Sequence, residues 1–101
     1  MKTFSVLSNS IRQTPTFARD LKRMITKRHY SFESIDAAVK AIYYQDKTYL
    51  IRHKDHQLKG SLKAFRELHI EDNWLLMYQR SNSGELILIL TRTGTHDELF
   101  N

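Results

Sequence analysis

A chain of 101 residues holds one domain with a modest core and is too short for two. It contains no cysteine, which excludes a disulfide framework and a thiolate metal site, and no stretch approaches the roughly 20 apolar residues of a membrane span. The formal charge is +5 and uneven: residues 1–30 hold seven Lys and Arg against one acid, Asp20, whereas the remainder holds nine against ten. A basic N-terminal third suits an anionic partner, either nucleic acid or an acidic protein segment; a solvated basic helix face with no partner fits the charge equally.

Residues 1–9 read as a flexible or extended lead into a single domain spanning 1–101. Their one cation and very short apolar run are too little for a secretory signal, so the expected location is the cytoplasm, with no membrane partner. Ser10–Gln13 reads as a short, weakly patterned strand. Thr14-Pro15 then opens a helix, Thr as N-cap and Pro in the first turn. Phe17, Leu21, Met24, Ile25 and Arg28 form one face of it, and Arg19, Lys22, Arg23 and Lys27 the opposite, basic face. Ser31 caps a second helix whose stripe is Ile35, Ala38, Val39, Ile42 and Tyr43. Neither helix can bury its stripe alone, so the two form a hairpin lying on a sheet.

Asp46–Ser61 reads as a long connection ending near Gly60. Three strands follow: Lys63–Ile70, Trp74–Arg80 and Glu85–Thr91, joined by polar turns at Glu71-Asp72-Asn73 and Ser81-Asn82-Ser83-Gly84. Short turns make them an antiparallel meander. The continuous apolar run Leu86–Leu90 suits a central strand covered on both faces. Thr95-His96-Asp97-Glu98 has the form of a capping box, with room for a single C-terminal turn. The predicted class is α+β, a helical hairpin packed on an antiparallel sheet in the order β-α-α-β-β-β with a short C-terminal helical turn.

Functional side chains gather at the ends of these strands. Histidine trades a proton near neutral pH, arginine grips phosphate with a fork of donors, and Trp and Phe stack on bases. His69, Trp74, Arg92, His96 and Phe100 together point to RNA handling. His53-x-x-His56 has a metal-like spacing, but it lies in a connection without a Cys or a tight carboxylate partner, so no metal site is assigned. Arg92-Thr93-Gly94-Thr95 has one glycine and no helix of useful length behind it, and is not a nucleotide phosphate loop.

Five ordered segments carry a family resemblance: Lys54-Asp55-His56-Gln57-Leu58-Lys59-Gly60, Phe65-Arg66-Glu67-Leu68-His69-Ile70-Glu71, Trp74-Leu75-Leu76-Met77-Tyr78, Arg92-Thr93-Gly94-Thr95-His96 and Leu99-Phe100. Their spacing resembles the YafQ group of the RelE/ParE toxin superfamily, the toxins of type II toxin–antitoxin pairs. The resemblance runs from about Ile11 to Phe100 and implies a RelE-like fold with a twisted sheet. It further implies a ribosome-dependent mRNA endonuclease (mRNA interferase) that needs no metal or other cofactor. Its expected partners are mRNA, the 70S ribosome and a cognate antitoxin, with operator DNA reached only through the antitoxin. In this chemistry the 2′-hydroxyl of the RNA attacks the adjacent phosphate and expels the 5′-oxygen of the next nucleotide. The protein has only to align the groups, take and give one proton, and stabilise added negative charge.

Residue by residue, the resemblance implies that His56, His69 and His96 are catalytic, with acid and base roles undecided, and that Arg92 braces the phosphate. Trp74 and Phe100 match aromatic substrate-contact positions. Lys54, Lys59 and Arg66 are expected to contact the RNA backbone, and Glu71 and Asn73 to flank the substrate. Asn73 stands where the family pattern has an acid, and an amide cannot take a proton in this pH range. A ribosome-independent ribonuclease, a gyrase-binding toxin without RNase chemistry and a plain RNA-binding module are the rival readings.

Overall fold

The computed structural model describes residues 3–7, 9–82 and 86–100. Two long helices, α1 (Pro15–Thr26) and α2 (Phe32–Tyr43), lie against a five-stranded sheet. The strands are β1 (Ile11–Gln13), β2 (His56–Gln57), β3 (Arg66–Glu71), β4 (Trp74–Asn82) and β5 (Leu86–Gly94), in the spatial order β1-β5-β4-β3-β2. Neighbours are antiparallel except β1, which runs parallel to β5. A short α3 (Lys47–Arg52) follows α2, and α4 (His96–Phe100) ends the described chain.

Local signals set most boundaries. The Thr14 hydroxyl accepts from the Phe17 amide (2.9 Å) and donates to the Thr91 carbonyl (2.8 Å), so one side chain both starts α1 and ties it to β5. Ser31 caps α2 by accepting from the Glu33 amide at 3.2 Å. Phe17 and Met24 from α1, and Ile35, Ala38, Val39 and Ile42 from α2, meet Leu68, Ile70, Trp74, Leu76, Tyr78, Leu88 and Leu90 of the sheet in one core. Burying such side chains supplies about 1.5–3 kcal/mol each before the entropic cost of ordering.

Two expectations change. The connection 46–61 is structured: Asp46 caps α3 by accepting from the Tyr49 amide at 3.2 Å, β2 pairs with β3, and a 3-10 turn spans Gly60–Leu62. A six-residue helix with no buried residue and a two-residue strand leave no hydrophobic period to read. The strand covered on both faces is β4, where Trp74 to Tyr78 are all buried; in β5, Leu88 and Leu90 are buried but Ile87 and Ile89 only half so. Within the N-terminal segment, Phe4 is buried against Phe32 and Phe17, with ring centroids at 5.1 and 6.4 Å. The turn expected at Ser81–Gly84 lies partly outside the described residues.

Candidate active site

Residues paired across a sheet share a face, and residues two apart on a strand do too. The register aligns His56 with Glu67, Glu67 with Met77 and Met77 with Arg92, one row across four strands. The next row is His69, Leu75 and Gly94. These rows lie on the face opposite the core set Leu68, Leu76 and Tyr78. Directly after Gly94 the chain enters α4, whose exposed His96 packs on Phe100 one turn later, ring centroids 5.0 Å apart.

Glu67 is the middle of this set. It is 5% exposed, and its Oε2 has no hydrogen-bond partner among the described residues. Burial pushes its carboxyl up, while the charged forms of His56, His69 and His96 pull it down. One carboxylate therefore feels all three histidines. Nδ1 of His56 lies 2.7 Å from the Lys54 carbonyl, which can only accept, so Nδ1 carries a proton. The neutral ring thus keeps its lone pair on Nε2, which stands 3.7 Å from Oε1 of Glu67.

Arg92 is held from the side. Its partner is Asp20 of α1, 2% exposed. Nε and Nη2 of Arg92 donate to Asp20 at 2.9 and 3.1 Å, and the Thr93 amide (3.2 Å) and Arg23 (3.1 Å) donate to it too. Burial alone would raise the Asp20 carboxyl; these donors and the Arg92 charge outweigh it and hold it below the usual carboxylate range. The basic face of α1 is thereby thinned, since Arg23 is spent on Asp20 and on Glu98 (3.0 Å).

The capping box at Thr95 forms as its sequence implies. The Thr95 amide donates to Glu98 (2.9 Å) and the Glu98 amide to the Thr95 hydroxyl (3.2 Å). Gly94 makes room for the fold-back, because a Cβ there would sit 3.3 Å from Oε1 of Glu98.

His56, His69, His96, Arg92 and Phe100 are thus gathered at one end of one sheet face. Trp74 is not among them. It is fully buried, its ring stacked on Tyr30 at 4.8 Å and its Nε1 donating to Thr93 at 2.8 Å, so it packs the core and offers no face to a base. Arg66 points to the core face with Tyr78 and is clamped by Asp55 at 2.7 and 3.0 Å. Glu71 and Asn73 are exposed at the β3–β4 turn, where Glu71 accepts from Ser34 (2.9 Å). Lys54 is exposed at the rim of a cleft of about 320 Å³ that also includes His53 and His69. Lys59 is exposed one residue before the 3-10 turn.

Sequence reasoning missed Glu67 and Asp20, and the place of His53 beside His69. Glu67 stands two residues before His69 and so on its face, a signal that strand periodicity carried. Asp20, three after Phe17 and four before Met24, lies on the apolar stripe of α1, where an acid is out of place. His53 drew notice only for its spacing to His56, whereas its Nδ1 donates to the His69 carbonyl (2.7 Å), its own carbonyl accepts from the His69 amide (2.8 Å), and Tyr49 stacks on it at 3.8 Å.

This architecture is that of solved bacterial toxins. YafQ from Escherichia coli BL21(DE3) superposes with a TM-score of 0.78 at 28% identity, covering 90% of this chain and 97% of that one. The E. coli DinJ–YafQ toxin–antitoxin complex gives 0.76 at 30% identity, covering 90% and 96%. A metal-bound toxin from Helicobacter pylori gives 0.71 at 35% identity, covering 89% and 97%. In sequence, the mRNA interferase toxin YafQ of E. coli K12 is 28% identical over 95 residues, 94% of this chain and 99% of its own. Residues 9–101 match the model of the bacterial toxin of type II toxin–antitoxin systems, YafQ, and the chain belongs to that family.

Proposed function

We propose that this toxin is an mRNA interferase that cleaves mRNA in the ribosome and is neutralised by a cognate antitoxin. The observation that carries the reading is the arrangement around the buried Glu67, which faces His56 at 3.7 Å, has His69 two residues on along the same strand face, and stands in one cross-strand row with Arg92. His56 takes the proton of the 2′-hydroxyl on Nε2, the nitrogen left unprotonated by its bond to Lys54, and Glu67 stabilises the imidazolium that forms. The O2′–P bond forms, the P–O5′ bond breaks, and His96 gives its proton to O5′. The products are a 2′,3′-cyclic phosphate and a 5′-hydroxyl. Arg92 braces the equatorial oxygens, Phe100 stacks on a base beside His96, and Lys54 and Lys59 meet the backbone at the rim. Because the nucleophile is part of the substrate, the step needs no metal.

The DinJ–YafQ complex supports a protein antitoxin as partner, and an acidic or amphipathic segment suits the basic α1 face or the active surface. Operator DNA would be reached through that antitoxin. The reading puts the chain in the cytoplasm, where its substrate is.

The test is cleavage of an mRNA by the purified chain with and without 70S ribosomes, in EDTA. Cuts that need ribosomes, survive EDTA and fall by about 10²-fold or more for His96→Ala are expected. Cuts on naked RNA would make it a free ribonuclease, and loss of cutting in EDTA would overturn metal independence. Full activity of His96→Ala would remove His96 from the chemistry.

A further inference from the structure

A buried carboxylate in the middle of an apolar helix stripe needs an explanation. Burying an ion pair is weak evidence of stabilisation, since an apolar residue of similar size often serves stability as well. Asp20 is the one acid of the basic N-terminal third, 2% exposed, and both of its oxygens are filled. Oδ2 accepts from Nε of Arg92 and the Thr93 amide, and Oδ1 from Nη2 of Arg92 and Nη2 of Arg23.

Two consequences follow from that geometry. Nε and Nη2 form one edge of a planar guanidinium, so binding both fixes its plane and leaves the end-on fork, Nη1 with the second proton of Nη2, for an anion. Arg23, held by the same carboxylate, continues through Nε to Oε2 of Glu98 at 3.0 Å. Oε1 of Glu98 receives the Thr95 amide and so caps α4, which bears His96 and Phe100. The Arg92 guanidinium and the helix that bears His96 are thus referenced to one point on α1.

We propose that Asp20 is a positioning residue that fixes the Arg92 fork and, through Arg23 and Glu98, the helix that carries His96 and Phe100. The proposal rests on the mRNA-cleaving reading for its role in catalysis. It contacts no substrate; it acts by keeping two catalytic groups in one geometry, where small misplacements cost large factors in rate.

The experiment compares the wild-type chain with D20N, R92A and the double variant in the ribosome cleavage assay. D20N is expected to lower kcat by about 30-fold or more with KM within about threefold. In the R92A background it should cost less than about tenfold, because most of its effect passes through Arg92. A D20N variant that cleaves at the wild-type rate overturns the proposal, and so does one that loses the same factor with and without Arg92. Should D20N not fold, Glu98→Gln takes its place, keeping an acceptor for the Thr95 amide while dropping the charge that Arg23 holds. A kcat loss of about three- to tenfold with shifted His96 ring resonances is then expected, and unchanged values of both overturn the proposal. If the wild-type chain cleaves nothing, the functional reading falls, and the Nε–H resonance of Arg92 decides the positioning. Slow exchange in the wild type and fast exchange in D20N or, failing its fold, in Glu98→Gln supports it; equal exchange overturns it.

Discussion

Two aspartates in this molecule each clamp an arginine through its Nε and Nη2, Asp20 holding Arg92 with both oxygens and Asp55 holding Arg66 with Oδ2 alone. The arginines are similarly exposed, their side chains 33% and 37% accessible. They differ in which face of the sheet they serve. Arg92 shares its row with Met77, Glu67 and His56, whereas Arg66 shares its row with Tyr78, whose hydroxyl also donates to Asp55. An aspartate–arginine pair therefore lies on the face proposed for cleavage in one place and fastens the segment between α3 and β2 to the sheet in the other. What separates them is strand parity, not residue type: positions 66 and 67 are neighbours in the chain and lie on opposite faces.

The sharpest way to break this contrast is to delete each arginine. Arg92→Ala is expected to lower cleavage by about 10²–10³-fold, the usual cost of removing one donor from a developing anion. Arg66→Ala should leave cleavage within about threefold and cost stability, about 1–3 kcal/mol, because the Asp55 carboxylate, with its side chain 8% accessible, is left with fewer donors; the partial exposure of Arg66 keeps the cost toward the lower figure. Urea titration beside the cleavage assay reads both. Equal losses of activity would show that the faces are not functionally distinct.

Much of this arrangement was legible before the fold. Ser31, the Thr14-Pro15 start and the Thr95–Glu98 box are local signals, and local signals survive in any context. The histidines, Arg92 and Phe100 stood out as candidates because their chemistry is distinctive and their spacing resembles the family. What stayed hidden was relational. The resemblance carried Arg66 and Trp74 as substrate contacts, yet the pleat turns both to the core face. Arg92 was recognised but its anchor was not, since Asp20 is 72 positions away. Glu67 was passed over because a glutamate in a strand reads as solvent-facing until His69 of its own strand is joined by the histidines of β2 and α4.

The two carboxylates offer the next test, through pH. Asp20 is held below its ordinary value, so its contribution to stability is present above the unfolded-chain pKa and is lost as pH falls through the lower folded value. Glu67 is raised, chiefly by burial, so the folded chain holds its proton more tightly than the unfolded chain. Its ionisation therefore costs stability as pH rises through that raised value. Glu67→Gln is expected to stabilise the chain at neutral pH by about 0.5–2 kcal/mol, with the gain fading in acid, while cleavage drops by about tenfold or more. Thermal melting from acid to neutral pH reads the first part. A gain that grows toward acid would reverse the sign and sink the account of Glu67 as a strained charge at the histidine cluster.

Trp74→Phe gives the smallest expected effect and the cleanest check on the core face. Phenylalanine keeps an aromatic ring against Tyr30 but loses the N–H that Trp74 gives to Thr93. The Thr93 hydroxyl still donates to the Leu75 carbonyl at 2.7 Å, so it is not left without a partner. The cost should be about 1 kcal/mol of stability, with cleavage within about twofold of the wild type. Cleavage falling by about 10²-fold at an unchanged melting temperature would mean that the indole reaches the substrate, and that the face assigned to packing takes part in recognition. An unchanged rate would leave base stacking to Phe100, the aromatic that α4 holds beside His96 on the other side of the sheet.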